Sequence, residues 1–121
     1  MADVHLDSHL DVAVSDGGSN VQVLLGSATG ALHSTPVVTT PGYGGRPNAI
    51  ALADFSGDGK PDLALGFGNN LPEFVSSYVC FLNGYGDGTF DTNFQCSSLA
   101  LNAFYGMLVT HLNGKPGLAI P

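Results

Sequence analysis

The sequence repeats itself, and this repetition constrains the fold more than any other feature. Three segments align without gaps: Asp3–Val14 (DVHLDSHLDVAV), Asp54–Leu65 (DFSGDGKPDLAL) and Val109–Ile120 (VTHLNGKPGLAI). A second matching pair lies between them, Val21–Leu32 and Val79–Phe90. The unit is therefore about 50 residues long, and a repeat of this length that reads as short strands is typical of the blades of a β-propeller.

Composition favours strands throughout. The 17 Gly and 7 Pro among 121 residues are dispersed, so they would interrupt most helices of three or four turns. We predict an all-β fold built from β-propeller blades of four antiparallel strands, with about two and a half blades in the chain. The first repeat covers residues 1–47, the middle repeat covers 48–102, and a partial third repeat covers 103–121.

Charge and hydropathy exclude several classes of partner. The chain has 3 Lys+Arg against 10 Asp+Glu, a net charge of −7, so nucleic acid and anionic membranes should repel it. No apolar run approaches the roughly 20 residues that span a bilayer, so we expect no membrane insertion. An apolar fraction of 44% with only 11% charged residues is typical of secreted β-proteins, and we expect an extracellular or cell-surface location.

The middle copy carries the strongest local chemistry. Its loop has Gly59 at position 6, where the chain must turn sharply, and the carbonyl of Lys60 at position 7. Oxygen-bearing side chains occupy positions 1, 3, 5 and 9: Asp54, Ser56, Asp58 and Asp62. Alternate residues of a tight loop can supply the six to eight oxygen ligands that Ca²⁺ needs. The alternative is a polar hairpin turn in which Asp and Gly serve geometry alone.

The first copy has a degenerate version of this loop. It keeps carboxylates at positions 1, 5 and 9, which are Asp3, Asp7 and Asp11. However, His5 stands at position 3 and Ser8 stands where Gly is expected. Imidazole is a poor ligand for a hard cation. We therefore predict a weakened calcium site here, with a transition metal bound through His5 or His9 as the alternative.

The third copy and the histidines predict no further chemistry. At the four ligand positions the third copy has Val109, His111, Asn113 and Gly117, so we expect no metal there. The four histidines form no recognisable set of nucleophile, base and orienting group, and neither HExxH nor GxSxG occurs. We therefore expect a protein that is not an enzyme.

The two cysteines flank a glycine-rich turn. Cys80 and Cys96 are equally far from Gly88, so a hairpin turning there would place them opposite each other. They form either a disulfide, which would indicate an oxidising compartment, or two buried thiols.

The middle segment DFSGDGKPDLALG resembles the calcium-loop motif of integrin-like β-propeller repeats of the FG-GAP or VCBS type, and GGRPNAIALADF and LNGYGDGTF resemble its flanks. The resemblance implies that the loop joins the first two strands of a blade, binds calcium and caps one face of a propeller. It assigns the ligands as Asp54, Ser56, Asp58, the Lys60 carbonyl and Asp62. Ser56 departs from the family pattern, which more often has Asn or Asp, and this implies a weaker or water-mediated ligand.

Two functions are compatible with such a chain. One is a noncatalytic structural, adhesion or interaction module that binds an extracellular protein; the other is a carbohydrate-binding, lectin-like propeller that binds a glycan. Propellers close with four to eight blades, so a chain with this many strands needs further blades. We expect these to come from copies of the chain or from a longer polypeptide.

Overall fold

The structure is a computed structural model, and it describes residues 2–16, 20–33, 37–39, 47, 49–67, 77–93, 95–99, 108–112 and 115–119. Within these ranges the chain forms antiparallel strands and contains no helix, which confirms the all-β prediction. Accordingly, the described part of the chain has no helix with the length and hydropathy to cross a membrane.

The first repeat forms a three-stranded sheet in the order β1-β2-β3: β1 (Val12–Ser15), β2 (Val21–Leu24) and β3 (Val37–Thr39). Burial alternates along β2, with Val21 and Val23 fully buried. Before β1, Ala2 forms only a single bridge, to Asp11, and the chain then enters the first loop.

The middle repeat forms a four-stranded sheet in the order β4-β5-β6-β7: β4 (Ala49–Ala53), β5 (Asp62–Phe67), β6 (Ser77–Leu82) and β7 (Gln95–Leu99). All six residues of β5 are buried. A strand that is paired on both edges and covered on both faces needs a continuous apolar run, and LALGF supplies it. This strand is the centre of the described structure.

The cysteines meet across β6 and β7. The register places Cys80 opposite Cys96, with their Cα atoms 4.0 Å apart, and the two residues form a disulfide. Cys80 is buried, whereas Cys96 is exposed. The bridge therefore joins the inner strand β6 to the edge strand β7.

The third repeat differs from the other two at its loop. Its described part is a pair of antiparallel strands, β8 (Leu108–Leu112) and β9 (Lys115–Ala119). The register pairs Val109 with Leu118 and His111 with Pro116. Residues that align with the loops of the other two repeats therefore run as paired strands here. Asn113 lies outside the described residues, as do residues 103–107, 120 and 121.

One apolar cluster joins the first and middle repeats. The first repeat contributes residues from its loop and from β2: Val4, Val21 and Val23. The middle repeat contributes residues from β5, from β6 and from the turn that follows: Leu63, Leu65, Phe67, Cys80, Leu82 and Phe90. Burial of these side chains removes apolar surface from water in both repeats at once. The two repeats therefore share a core.

Two glycines allow backbone segments to approach each other closely at equivalent places in the first and middle repeats. A Cβ on Gly26 would lie 2.1 Å from the carbonyl oxygen of Leu10, and a Cβ on Gly84 would lie 1.9 Å from that of Pro61. Gly26 follows β2 and packs against the backbone just before β1, and Gly84 follows β6 and packs against the backbone just before β5. A side chain at either position would push these two segments apart.

We expect Gly84→Ala to lower the free energy of unfolding by about 3 kcal/mol or more, because the new Cβ displaces the Pro61 backbone. Gly30→Ala is the matched control. It has a positive φ of 79° but open space around its Cβ, so its cost should be about 1 kcal/mol. Urea denaturation of both variants measures the difference. Equal destabilisation would show that the close approach at Gly84 is unimportant.

Candidate functional site

The middle loop is closed around the carboxylate of Asp54. This carboxylate accepts hydrogen bonds from the backbone N–H groups of Gly57 at 2.8 Å, Asp58 at 3.0 Å and Gly59 at 2.8 Å. Gly57 and Gly59 have φ values of 81° and 86°, which turn these N–H groups inward at little cost. The hydroxyl of Ser56 also donates to Asp54, at 3.4 Å.

Asp62 fastens this loop to the rest of the repeat. One carboxylate oxygen accepts the N–H of Ser56 at 2.8 Å, and the other accepts the N–H of Gly84 at 2.9 Å. Asp62 is only 1% exposed. A buried carboxylate is costly unless hydrogen bonds compensate it, and here two backbone groups do so. Asp62 thereby holds the loop against the turn that follows β6.

Within the first loop, backbone N–H groups bind aspartate carboxylates in the same way as in the middle loop. Asp3 accepts the N–H of Asp7 at 3.0 Å and that of Ser8 at 2.8 Å, as Asp54 does at the same loop positions. Asp7 accepts the N–H of His9 at 2.9 Å. In the middle loop the equivalent bond runs from the N–H of Lys60 to Asp58, also at 2.9 Å.

The buried aspartate recurs as well. Asp11 is fully buried, and it accepts the N–H of His5 at 3.3 Å and that of Gly26 at 2.8 Å. These donors correspond to Ser56 and Gly84 of the middle repeat. Asp11 additionally accepts the N–H of Val4 at 2.8 Å. The two loops therefore share one hydrogen-bonded framework.

This framework imposes its backbone conformation even where glycine is absent. Leu6 and Ser8 have φ values of 58° and 73°, and they stand at the positions of Gly57 and Gly59. A left-handed conformation costs a residue with a side chain about 1–2 kcal/mol. The bonds to Asp3 and Asp11 offset this cost.

The loops differ most at position 3. The Nε2 atom of His5 lies 2.8 Å from a carboxylate oxygen of Asp7, and its Nδ1 atom lies 3.0 Å from one of Asp11. Ionised carboxylates only accept hydrogen bonds, so contacts at both ring nitrogens favour the protonated ring, an imidazolium. An imidazolium has no lone pair for a metal, so a transition metal at His5 would first have to displace a proton.

The first loop brings three ionisable side chains close together. One ligand atom each of Asp3, His5 and Asp11 lies within 4.8 Å of the others. These residues stand at positions 1, 3 and 9, and at position 3 the middle loop has Ser56, whose hydroxyl carries no charge. A protonated His5 places a positive charge beside the carboxylates of Asp7 and Asp11.

The pKa values follow from these contacts. The hydrogen bond to Asp11 raises the pKa of His5, and the charges of Asp11, Asp7 and Asp3 add to this effect against a smaller opposing effect of burial. Burial alone would raise the pKa of Asp11, but bonds from Gly26, His5 and Val4 outweigh it and lower the pKa.

In the middle loop, the hydrogen bond from the N–H of Gly59 lowers the pKa of Asp54 more than any other contact does. Asp54 therefore stays ionised at mildly acidic pH.

The residues that the sequence predicts as metal ligands have two different structural roles. Asp54, Ser56 and Asp58 line an exposed or half-exposed loop, where oxygen atoms remain accessible. Asp62 and Asp11 are buried and bind backbone groups of two segments. Sequence reasoning missed their partners Gly26 and Gly84, although these glycines also recur in the second pair of matching segments.

The fold and the two loops define an all-β repeat protein in which the first and middle repeats share one loop framework. A family model described as FG-GAP-like repeat matches residues 3–65, which include both loops and the first four residues of β5. The chain belongs to this family, and the resemblance to integrin-like repeats is confirmed. No curated protein and no solved structure matches the chain significantly.

We expect the first loop to be most stable in mildly acidic solution. The raised pKa of His5 means that its contribution is complete below the ordinary value of 6.5 and is lost as the pH rises through its higher folded value. The lowered pKa of Asp11 means that its contribution is complete above 3.8 and is lost as the pH falls through its lower folded value. Both contributions are therefore complete between 3.8 and 6.5.

Denaturation with a chelator present, across this range and up to pH about 9, measures the effect. His5→Gln is the control, since it retains a hydrogen-bond donor but cannot titrate. The difference in unfolding free energy between the two proteins should shrink as the pH rises. A difference that is constant with pH would contradict the imidazolium assignment.

Proposed function

We propose that this chain is a noncatalytic, extracellular, calcium-binding repeat module of the β-propeller type, which serves as a structural or adhesion element and assembles with further blades or copies. The observation that carries the proposal is the middle loop. Its backbone is already folded around Asp54, while the outer residues Ser56–Gly59 remain exposed.

The residues of the middle loop fit calcium in type and spacing. The hydroxyl of Ser56 lies 3.4 Å from a carboxylate oxygen of Asp54. Two ligands about 2.4 Å from one ion and at right angles to each other would be separated by about this distance. Asp58 and the Lys60 carbonyl would complete the outer side. Asp62 would use lone pairs that its two backbone bonds leave free.

Calcium would neutralise charges that the loop itself leaves unbalanced. Asp54 and Asp58 have no imidazolium between them, in contrast to the acids of the first loop. A cation bound there would join the two halves of the loop and make it rigid. We expect one ion per chain, because His5 already supplies a positive charge to the first loop.

The disulfide supports the extracellular part of the proposal. Disulfides persist in oxidising environments and are rare in the cytosol. The bond between Cys80 and Cys96 secures an edge strand of the middle sheet. In an extracellular protein this covalent link would keep the edge strand paired with the rest of the sheet.

Calorimetric titration with Ca²⁺ tests the proposal. We expect saturable binding of about one ion per chain, and a gain in unfolding free energy of about 2.7 kcal/mol at a free concentration one hundred times the dissociation constant. Asp58→Asn should weaken binding by about tenfold or more, because the outer loop loses a charged ligand.

Asp87→Asn is the matched control. Asp87 is an exposed acid in the neighbouring turn, where it accepts bonds from Thr89. Its replacement should leave calcium affinity unchanged. If neither heat nor a shift in melting temperature accompanies calcium addition, the loop is a polar turn and the proposed function is wrong.

A further inference from the structure

The disulfide lies at the outer end of a row of side chains that crosses the middle sheet. The strand register aligns Ile50 with Leu65, Leu65 with Cys80, and Cys80 with Cys96. Leu65 is fully buried and Cys80 is 1% exposed, and both belong to the apolar cluster that joins the two repeats. Cys96, on the edge strand β7, is exposed. The two cysteines of one bond therefore differ sharply in their exposure to solvent.

The edge strand β7 is attached to the sheet on one side. Within the described part of the chain it pairs with β6 alone, whereas β5 is paired on both sides. Gln95 and Ser97, the neighbours of Cys96, are exposed as well, and none of the described side chains of β7 belongs to the apolar cluster. A strand that buries little apolar surface is held mainly by its backbone hydrogen bonds, and such strands open easily. The covalent bond therefore contributes much of what keeps β7 on the sheet.

We propose that Cys96 is a site of thiol–disulfide exchange, at which an external thiol opens the disulfide and thereby frees β7 from the sheet. The reactant is a low-molecular-weight thiol, which attacks as its thiolate. The proposal concerns the middle repeat alone and is independent of calcium.

The position of the disulfide favours attack on one sulfur. A thiolate attacks a disulfide along the line of the sulfur–sulfur bond, from the side opposite to the leaving sulfur. Attack on Cys96 would come from beyond the sheet edge, where the described part of the chain places no further strand. Attack on Cys80 would have to come from the direction of β5, where Leu65 is fully buried. Exchange should therefore begin at Cys96.

The exchange proceeds in two steps. In the first, the external thiolate forms a bond to the sulfur of Cys96, and the electron pair of the broken bond leaves on the sulfur of Cys80. Cys80 then takes up the proton that the external thiol released, because a thiolate in an apolar cluster is costly. In the second step another external thiol attacks the mixed disulfide and gives its proton to Cys96. The two external thiols are then joined as a disulfide, and both cysteines are reduced.

The freed segment should begin after the turn that precedes β7. The N–H of Asp91 donates to the carbonyl of Asn83 at 2.8 Å, and Gly84 pairs with Phe90 in an isolated bridge. Phe90 is only 5% exposed and belongs to the apolar cluster. These contacts do not involve the cysteines, so the turn should keep its place when the disulfide opens. β6 would then form the edge of the sheet, with unpaired N–H and C=O groups.

Peptide mapping after exchange with glutathione tests which sulfur is attacked. The folded 121-residue chain is incubated with excess reduced glutathione and quenched with acid, and its free thiols are alkylated with a maleimide before digestion without reduction. We expect glutathione on Cys96 and alkylation on Cys80, with at least about tenfold fewer glutathione adducts on Cys80. The matched control is the same chain unfolded in urea, where both sulfurs are accessible and both should carry adducts.

Two results would overturn the assignment of Cys96. One is an equal division of adducts between the two cysteines of the folded chain. The other is a folded chain without adducts under conditions that modify the unfolded chain.

Amide hydrogen exchange tests the release of β7. After reduction with dithiothreitol, the β7 amides that bind β6 should exchange about tenfold faster or more, while the amide of Asp91 keeps its protection. The matched control is a variant that combines Cys80→Ala with Cys96→Ala, which should exchange like the reduced protein with or without dithiothreitol. Unchanged exchange in β7 after complete reduction, or equal acceleration at Asp91, would show that the disulfide does not control this strand separately.

Discussion

The structure depends on a buried aspartate that accepts backbone hydrogen bonds from two separate segments. Asp62 binds the N–H of Ser56 in the loop and that of Gly84 in the following turn. A buried carboxylate without such partners would cost several kcal/mol or would take up a proton. Because Asp62 is the first residue of β5, this pair of bonds also sets where the central strand begins.

The same interaction explains why two loops with different sequences have one shape. Asp11 provides it in the first repeat, and there the loop accommodates Leu6 and Ser8 at positive φ. What varies between the loops is the source of positive charge. His5 carries it within the first loop, whereas the middle loop has acids and a hydroxyl that suit an added cation. A shared framework can therefore accommodate different residues at position 3 and, in our proposal, a bound cation in the middle loop.

The sequence predicted those parts of the fold that are encoded locally. The strand β5 followed from its continuous apolar run, and the alignment of Cys80 with Cys96 followed from their equal distance to Gly88. The arrangement of His5 could not be predicted, because the sequence does not show which side chains surround the ring. The close approach at Gly84 depends on the Pro61 backbone, which lies far away along the chain.

The most direct test of this account is the exchange of the amide hydrogens that bind Asp62. Asp62→Asn keeps the size of the side chain but replaces one acceptor oxygen by an NH₂ group, so one buried N–H loses its partner at a cost of about 1–3 kcal/mol. We predict that the amide of Ser56 or that of Gly84, whichever loses its acceptor, then exchanges roughly 5 to 150 times faster, as this cost implies. The amide of Gly57, bound to Asp54, should change much less. Wild-type protection at both Ser56 and Gly84 in this variant would contradict the account.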